Sequence, residues 1–227
     1  MVRLISLETC PPNFGFEVTR ATNTQNRIEK RDFAALDNEQ ARLRSDLLLS
    51  YGKEYVFRTG DRPPAPEKGC TLDEATVALA CANQDINYAL TAKREVSKLY
   101  DDVKQAPYIV LFNPTLTALK LWRAVEVSRQ VDALLRDEQG RSDGRDKLIA
   151  IHGNRLLLHL VFQKLGTGIF ETESNADAEA QIRAITQLAL GILGKIRSEI
   201  QRTYSTAYPA MLFKNVTKCK AIAAALA

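Results

Sequence analysis

The chain is poor in the residues that build most soluble catalytic centres. Two of its 227 residues are histidines, His152 and His159. They stand seven apart on one predicted helix, about 10 Å along the axis at about 1.5 Å per residue. Two ligands of one metal normally sit at i and i+4, and no Glu flanks either residue as in H-E-x-x-H. The spacing therefore predicts histidines satisfied by partners at the core edge, with no shared ion. The four cysteines, Cys10, Cys70, Cys81 and Cys219, are widely spaced and form no C-x-x-C pair. Zinc ligands come in close pairs, so this pattern indicates no zinc site. Without a signal-like start, a chain of this size is expected to keep its thiols reduced in the cytoplasm.

Other absences narrow the chemistry further. No G-x-S-x-G elbow is present to support acyl-transfer catalysis. Gly140-x-x-x-Gly144 lacks the Lys-Ser/Thr of a phosphate-binding P-loop, so neither a metal nor a nucleotide cofactor has a recognisable signature. Adjacent carboxylates occur as surface runs, Asp101-Asp102 and Asp137-Glu138, which read as solvated helix ends. No window approaches ~18 uninterrupted apolar residues, so no helix is expected to span a membrane and no membrane is expected among the partners.

What is there suffices for a packed core. Hydrophobic residues make up 45% and charged residues 26%, so disorder is not expected for most of the chain. The net charge of +4, with a pI near 8.9, is mildly basic. It permits a nucleic-acid partner without requiring one.

The pattern along the chain predicts an α+β fold: a small antiparallel β-containing N-terminal module followed by a mainly α-helical domain. Residues 1–60 form the module, 61–70 a loop or linker, and 71–227 the helical domain. Val2–Leu7 and Phe14–Thr19 alternate apolar and polar residues and suit two antiparallel strands around Pro11-Pro12-Asn13. A strand beginning at the second residue predicts that the chain continues upstream. Asp37 looks like an N-cap for a helix over Glu39–Tyr51, with Leu43, Leu47 and Leu48 inward and Gly52 as its stop. Tyr55-Val56-Phe57 suits a short strand.

Beyond the three prolines and the glycine of Asp61–Gly69, Thr71-Leu72-Asp73-Glu74 is a capping box. Further helices are expected over Ile86–Tyr100, from Leu116 to about Arg136, over Asp146–Leu165, along the Ile182–Ile200 face, and from Phe213 to Ala225. Leu156–Phe162 is apolar all round and should be central. No repeat or low-complexity tract is present.

One segment stands out chemically. Thr22-Asn23-Thr24-Gln25-Asn26 is dense in side chains that donate and accept hydrogen bonds, and Arg20, Arg27, Lys30 and Arg31 surround it. Amides can read base edges or sugars, and arginines can neutralise phosphates. The plainer alternative is a turn whose amides bond the local backbone. Asp32, with Lys30 and Glu29, is the one carboxylate near the segment that could serve a metal-dependent nuclease. The competing explanation is an ordinary ion pair. Lys214, Lys218 and Lys220 lie in the last predicted helix without a nearby acid. They suit either phosphates or a solvated face.

Thr22-Asn23-Thr24-Gln25-Asn26, followed by Arg31-Asp32-Phe33 and by Leu36-Asp37-x-x-Gln40, resembles the hallmark stretch of the AIPR family of bacterial phage-resistance proteins. The ending Tyr208-Pro209 with Phe213-Lys214-Asn215 is similar to that family too. The resemblance implies a role in abortive infection, in which an infected cell stops supporting phage growth. Longer members carry an upstream Asn-Gly-x-Gln-Thr segment that this chain lacks. A function needing both segments would then be incomplete here.

Three functions follow as expectations. The first is a nucleic-acid- or nucleotide-binding module using Arg20, Thr22, Asn23, Thr24, Gln25, Asn26, Arg27, Arg31 and Asp32. The second is a nuclease or nucleotide hydrolase completed by an upstream half. The third is a helical interaction scaffold, as a homo-oligomer or with another partner, using Trp122 or Leu156–Phe162.

Overall fold

Stretches with a helical apolar period become helices, and caps, prolines and close-packed glycines decide where each one stops. A computed structural model describes residues 30–58, 60–171 and 178–226, together with Pro11, Phe14, Gly15 and Val18. In chain order these form α1 (Lys30–Ala34), α2 (Asn38–Tyr51), β1 (Glu54–Val56), β2 (Gly69–Thr71), α3 (Leu72–Ala82) and α4 (Ile86–Arg94). Then follow α5 (Tyr108–Leu111), α6 (Ala118–Arg141), α7 (Gly144–His152), α8 (Asn154–Leu165), α9 (Ala178–Thr203), α10 (Pro209–Leu212) and α11 (Val216–Leu226). Single 3-10 segments at Val96–Tyr100 and Thr167–Phe170 join neighbouring helices. The mainly helical α+β class is as the sequence suggests.

The sheet differs from expectation. Val2–Leu7 lies outside the described residues. Of Phe14–Thr19, the described residues Phe14, Gly15 and Val18 have helical backbone rather than strand. The Phe14 N–H donates to the Pro11 carbonyl at 2.9 Å. That turn closes the backbone toward a helix, and an alternation over five residues is too short to prevent it. The sheet found among the described residues is parallel, with Glu54 opposite Gly69, Tyr55 opposite Cys70 and Val56 opposite Thr71. A parallel pair needs the chain carried back to its starting end. The proline-rich run between the strands does this. A Cβ on Gly69 would lie 2.1 Å from the Glu54 carbonyl oxygen, so glycine is what lets the strands meet.

Several local signals hold. Thr71 and Glu74 form the reciprocal capping box at the start of α3. The Gly52 N–H closes α2 onto Leu47 and Leu48 carbonyls. Others shift. Leu48 is exposed instead of inward. The helix expected over Ile86–Tyr100 breaks at Glu95 into α4 and a 3-10 turn.

The helix expected over Asp146–Leu165 divides at Gly153 into α7 and α8. There a Cβ would lie 2.8 Å from both the Ile149 carbonyl oxygen and Cζ of Phe213. The bare backbone lets Phe213 seat against the junction.

α6 lies at the centre, packed against α3, α7 and α9, while α8 packs between α3, α4 and α9. All seven residues from Leu156 to Phe162 are buried. Each large apolar side chain there contributes roughly 1.5–3 kcal/mol by burial. One apolar cluster runs from Ala34 in α1 to Ile222 in α11 and includes residues on both sides of the 61–70 loop. No described helix is long and apolar enough to cross a membrane.

Candidate functional site

Arg20, Thr22, Asn23, Thr24, Gln25, Asn26 and Arg27 lie outside the described residues, as does Glu29. Arg31 and Asp32 stand in α1, and Asp32 is half-buried. α1 packs on the Val96–Tyr100 turn. That contact anchors α1 to the helical body.

The residues just beyond are held by a buried polar chain. Asp37 precedes α2 in extended backbone, but its side chain makes no capping bond. Its carboxylate instead accepts from the Tyr108 hydroxyl at 2.8 Å. The same hydroxyl accepts from the Gln40 amide nitrogen at 2.8 Å, and the Gln40 carbonyl oxygen accepts from the Tyr55 hydroxyl at 2.6 Å. Gln40 is fully buried and has both ends of its amide engaged. Burial, then neighbouring Cys70 and Tyr100, holds the Tyr55 phenol well above its usual range, so it stays a donor. The network welds the Asp37-x-x-Gln40 segment to β1 and α5.

A half-open cleft of about 400 Å³ lies between α6, α9 and the proline-rich loop. Trp122, Glu126 and Gln130 succeed one another at four-residue spacing along one side of α6, with Arg123 and Val127 beside them. Gln181, Ile182 and Ile185 of α9 face them, and Lys53, Pro66 and Glu67 close the third side. Lys53 Nζ lies 4.9 Å from the Trp122 ring centroid, and the Arg129 guanidinium carbon lies 5.6 Å from it. Such contacts hold cations on an aromatic surface. Both cations also fasten the loop. Lys53 donates to the Glu67 carbonyl at 2.8 Å, and Arg129 donates to the carbonyls of Pro66 and Gly69.

The polar groups of the cleft divide into committed and free. Arg123 is buried, and it donates to the Ile169 carbonyl, Glu126 and the Gln181 side-chain oxygen. It holds the Gln181 side-chain oxygen, and the Gln181 amide hydrogens have no acceptor among the described residues. Gln130 has no protein hydrogen-bond partner among the described residues. Two amides beside an aromatic wall, with Lys53 outside any ion pair among the described residues, can take a planar polar ligand carrying negative charge.

A smaller cavity of about 200 Å³ lies between α3, α6 and α8, lined by Asp73, Glu74, Arg129, Asp132 and Arg155. Its charges pair with one another: Arg129 with Glu74 at 3.0 Å, and Arg155 with Asp132 at 4.0 Å. Burial raises the Asp132 carboxyl above its usual range against the opposing pull of Arg155 and Arg136. This is a seam between helices.

Cys70, Cys81 and Cys219 are buried thiols. Burial pushes Cys70 and Cys81 up to about 12 and Cys219 to about 11, which keeps them protonated and unreactive. His159 is buried in α8 with Nδ1 3.1 Å from the Cys81 carbonyl. Burial pulls its pKa down, so the ring is neutral and donates that bond. His152 ends the separate helix α7. Among the described residues, no three His, Cys, Asp or Glu side chains converge as a metal site would require.

Sequence reasoning singled out Trp122 but missed Gln130, Gln181, Arg123 and Lys53. The Trp122–Glu126–Gln130 spacing was the available signal. Gln181 carries none, because only the packing of α9 on α6 brings it across. No protein-family model matches this chain, and no curated protein or solved structure matches it either.

Proposed function

We propose that this chain is a nucleotide-binding module of an abortive-infection phage-defence protein, taking nucleotide units free or within a nucleic-acid strand. The observation that supports it best is the Trp122 cleft. Nucleobases present adjacent donors and acceptors on a planar ring, which suits the Gln130 amide and the Gln181 amide hydrogens beside an indole. Lys53 at the same wall supplies positive charge for a phosphate. The amide- and arginine-rich stretch from Arg20 to Asp32 offers the same chemistry in sequence, and its resemblance to the AIPR family motivates the defence role.

Filter binding of single-stranded and duplex nucleic acid at two salt concentrations tests this reading. Retention that falls steeply with salt supports it through counterion release, and no retention at micromolar protein refutes binding within a strand. Competition by free nucleotide separates the two ligand forms.

A scaffold role has one observation of its own. Leu156–Phe162 is buried and offers no surface, and Trp122 shows only 6% of its surface, at the cleft, but Leu48 and Leu49 of α2 are exposed, Leu49 by 84%. Ile109 and Val110 of α5 are exposed as well. Light scattering that gives a monomer, with no change on Leu49→Lys, would remove this reading.

A further inference from the structure

Two stretches of the chain contain no acidic residue: Lys147 to Phe170, and everything beyond Glu199. The fold sets them side by side. Phe213 is seated on Gly153, where an added Cβ would lie 2.8 Å from the ring. His152, Asn154 and Arg155 on one stretch therefore neighbour Lys214 on the other. α4 brings a third cation to the same place, for Lys93 Nζ donates to the Asn154 side-chain oxygen at 2.9 Å. That oxygen also accepts the Arg155 N–H at 2.9 Å, so it is fully used and fixes the orientation of the amide.

The carboxylates on these elements are engaged elsewhere. Asp85 caps α4 through the Asn87 N–H at 2.9 Å, Asp146 lies 3.9 Å from Arg197, and Asp132 lies 4.0 Å from Arg155. Among the described residues, Lys93, His152 and Lys214 join no ion pair. Like charges held together repel, and the repulsion adds to burial on the groups themselves. Burial first, then Arg155 and Lys214, pulls Lys93 down to about 8. Burial first, then Lys93 and Lys214, pulls His152 below its usual value. An arriving anion would relieve this repulsion with contacts already in place.

We propose that Lys93, His152, Lys214 and the Asn154 amide form a binding site for a compact phosphoanion, a terminal phosphate or pyrophosphate group. The cations come from three parts of the chain: Lys93 bonds Asn154, and His152 and Lys214 lie within electrostatic reach of Lys93. A phosphodiester strand would instead need a track of charges along a groove. Lysines suit a phosphate as point charges that need no fixed fork geometry. The site lies away from the Trp122 cleft and does not depend on it.

The chain has two histidines, so proton NMR of the full chain resolves one titration curve for each. His159 is buried and serves as the internal control for an intact fold. In pyrophosphate, compared with chloride at equal ionic strength, the His152 pKa rises by about one unit while His159 stays unchanged. In Lys93→Met the His152 pKa is already raised in chloride, and pyrophosphate adds little. Lys214→Met, at an exposed position, gives the same result should Lys93→Met fail to fold.

A 5′-phosphorylated dinucleotide shifts His152, and its 5′-hydroxyl counterpart does not. Identical His152 curves in pyrophosphate and chloride would overturn the site. So would an undiminished pyrophosphate effect in both lysine variants, and equal shifts from the two dinucleotides would overturn its preference for a terminal phosphate. Trp122 fluorescence in the same samples reports on the cleft separately, so either site can fail alone.

Discussion

Removing a single oxygen atom, by Tyr108→Phe, probes how the segment downstream of the amide-rich stretch is held. The ring remains and no cavity opens. Two bonds of 2.8 Å disappear, one donated to Asp37 and one accepted from Gln40. Asp37 is half-exposed and recovers a water, so its loss is small. Gln40 is fully buried and has no other acceptor for that N–H in the network. An orphaned buried donor costs about 1–3 kcal/mol, which sets the expected loss near 2 kcal/mol.

Urea unfolding followed by circular dichroism reads this as a lower midpoint at unchanged slope. Tyr108→Phe combined with Gln40→Leu should cost less than the sum of the two single changes, because each removes a group the other leaves unsatisfied. A Tyr108→Phe protein within about 0.5 kcal/mol of the parent would show that the polar chain is not under the packing constraint described, since surface-like sites behave that way.

Gly153→Ala should destabilise by about 1–3 kcal/mol through overpacking against Phe213, seen as a lower Tm in calorimetry, and an unchanged Tm would refute the close contact. Lys93 has a folded pKa near 8, below that of an unfolded lysine, so the unfolded state binds more protons between those values. Stability should therefore rise with pH from about 8 toward the ordinary lysine range, and urea midpoints of Lys93→Met should lack that rise. Burial also depresses His159. Its contribution is present above the unfolded histidine pKa and is lost as pH falls below it. His159→Gln should flatten that acid limb. Arg129→Met should free the proline-rich loop, giving faster trypsin cleavage after Lys68, and an unaltered rate would count against the tether.

Local signals carried much of the fold in the sequence. The Thr71–Glu74 box, Gly52 and the isoleucine period of α9 act within a few residues, so their meaning survives without tertiary context. What was hidden depends on distant partners. Asp37 has the type and position of an N-cap, yet Tyr108, 71 residues away, takes its carboxylate. The break at Gly153 falls within an apolar run that reads as continuous, and it becomes visible only once Phe213 is in place. Strands of three residues show no alternation, so the β1–β2 pairing and its parallel sense could not be read. In the candidate site, the α6 spacing of Trp122, Glu126 and Gln130 was legible. Its completion by Gln181 and Lys53 required the packed helices.

Trp122 is the sole tryptophan and lines the cleft, so its fluorescence tests nucleotide binding most directly. Titration with a nucleoside triphosphate, with pyrophosphate as the base-free control, should give a saturable change for the nucleotide alone. Gln130→Leu should weaken it by about tenfold, the loss expected of roughly 1.4 kcal/mol from one hydrogen-bonding contact. No nucleotide-dependent change up to millimolar ligand, or equal binding by Gln130→Leu, would contradict the proposed role of the cleft.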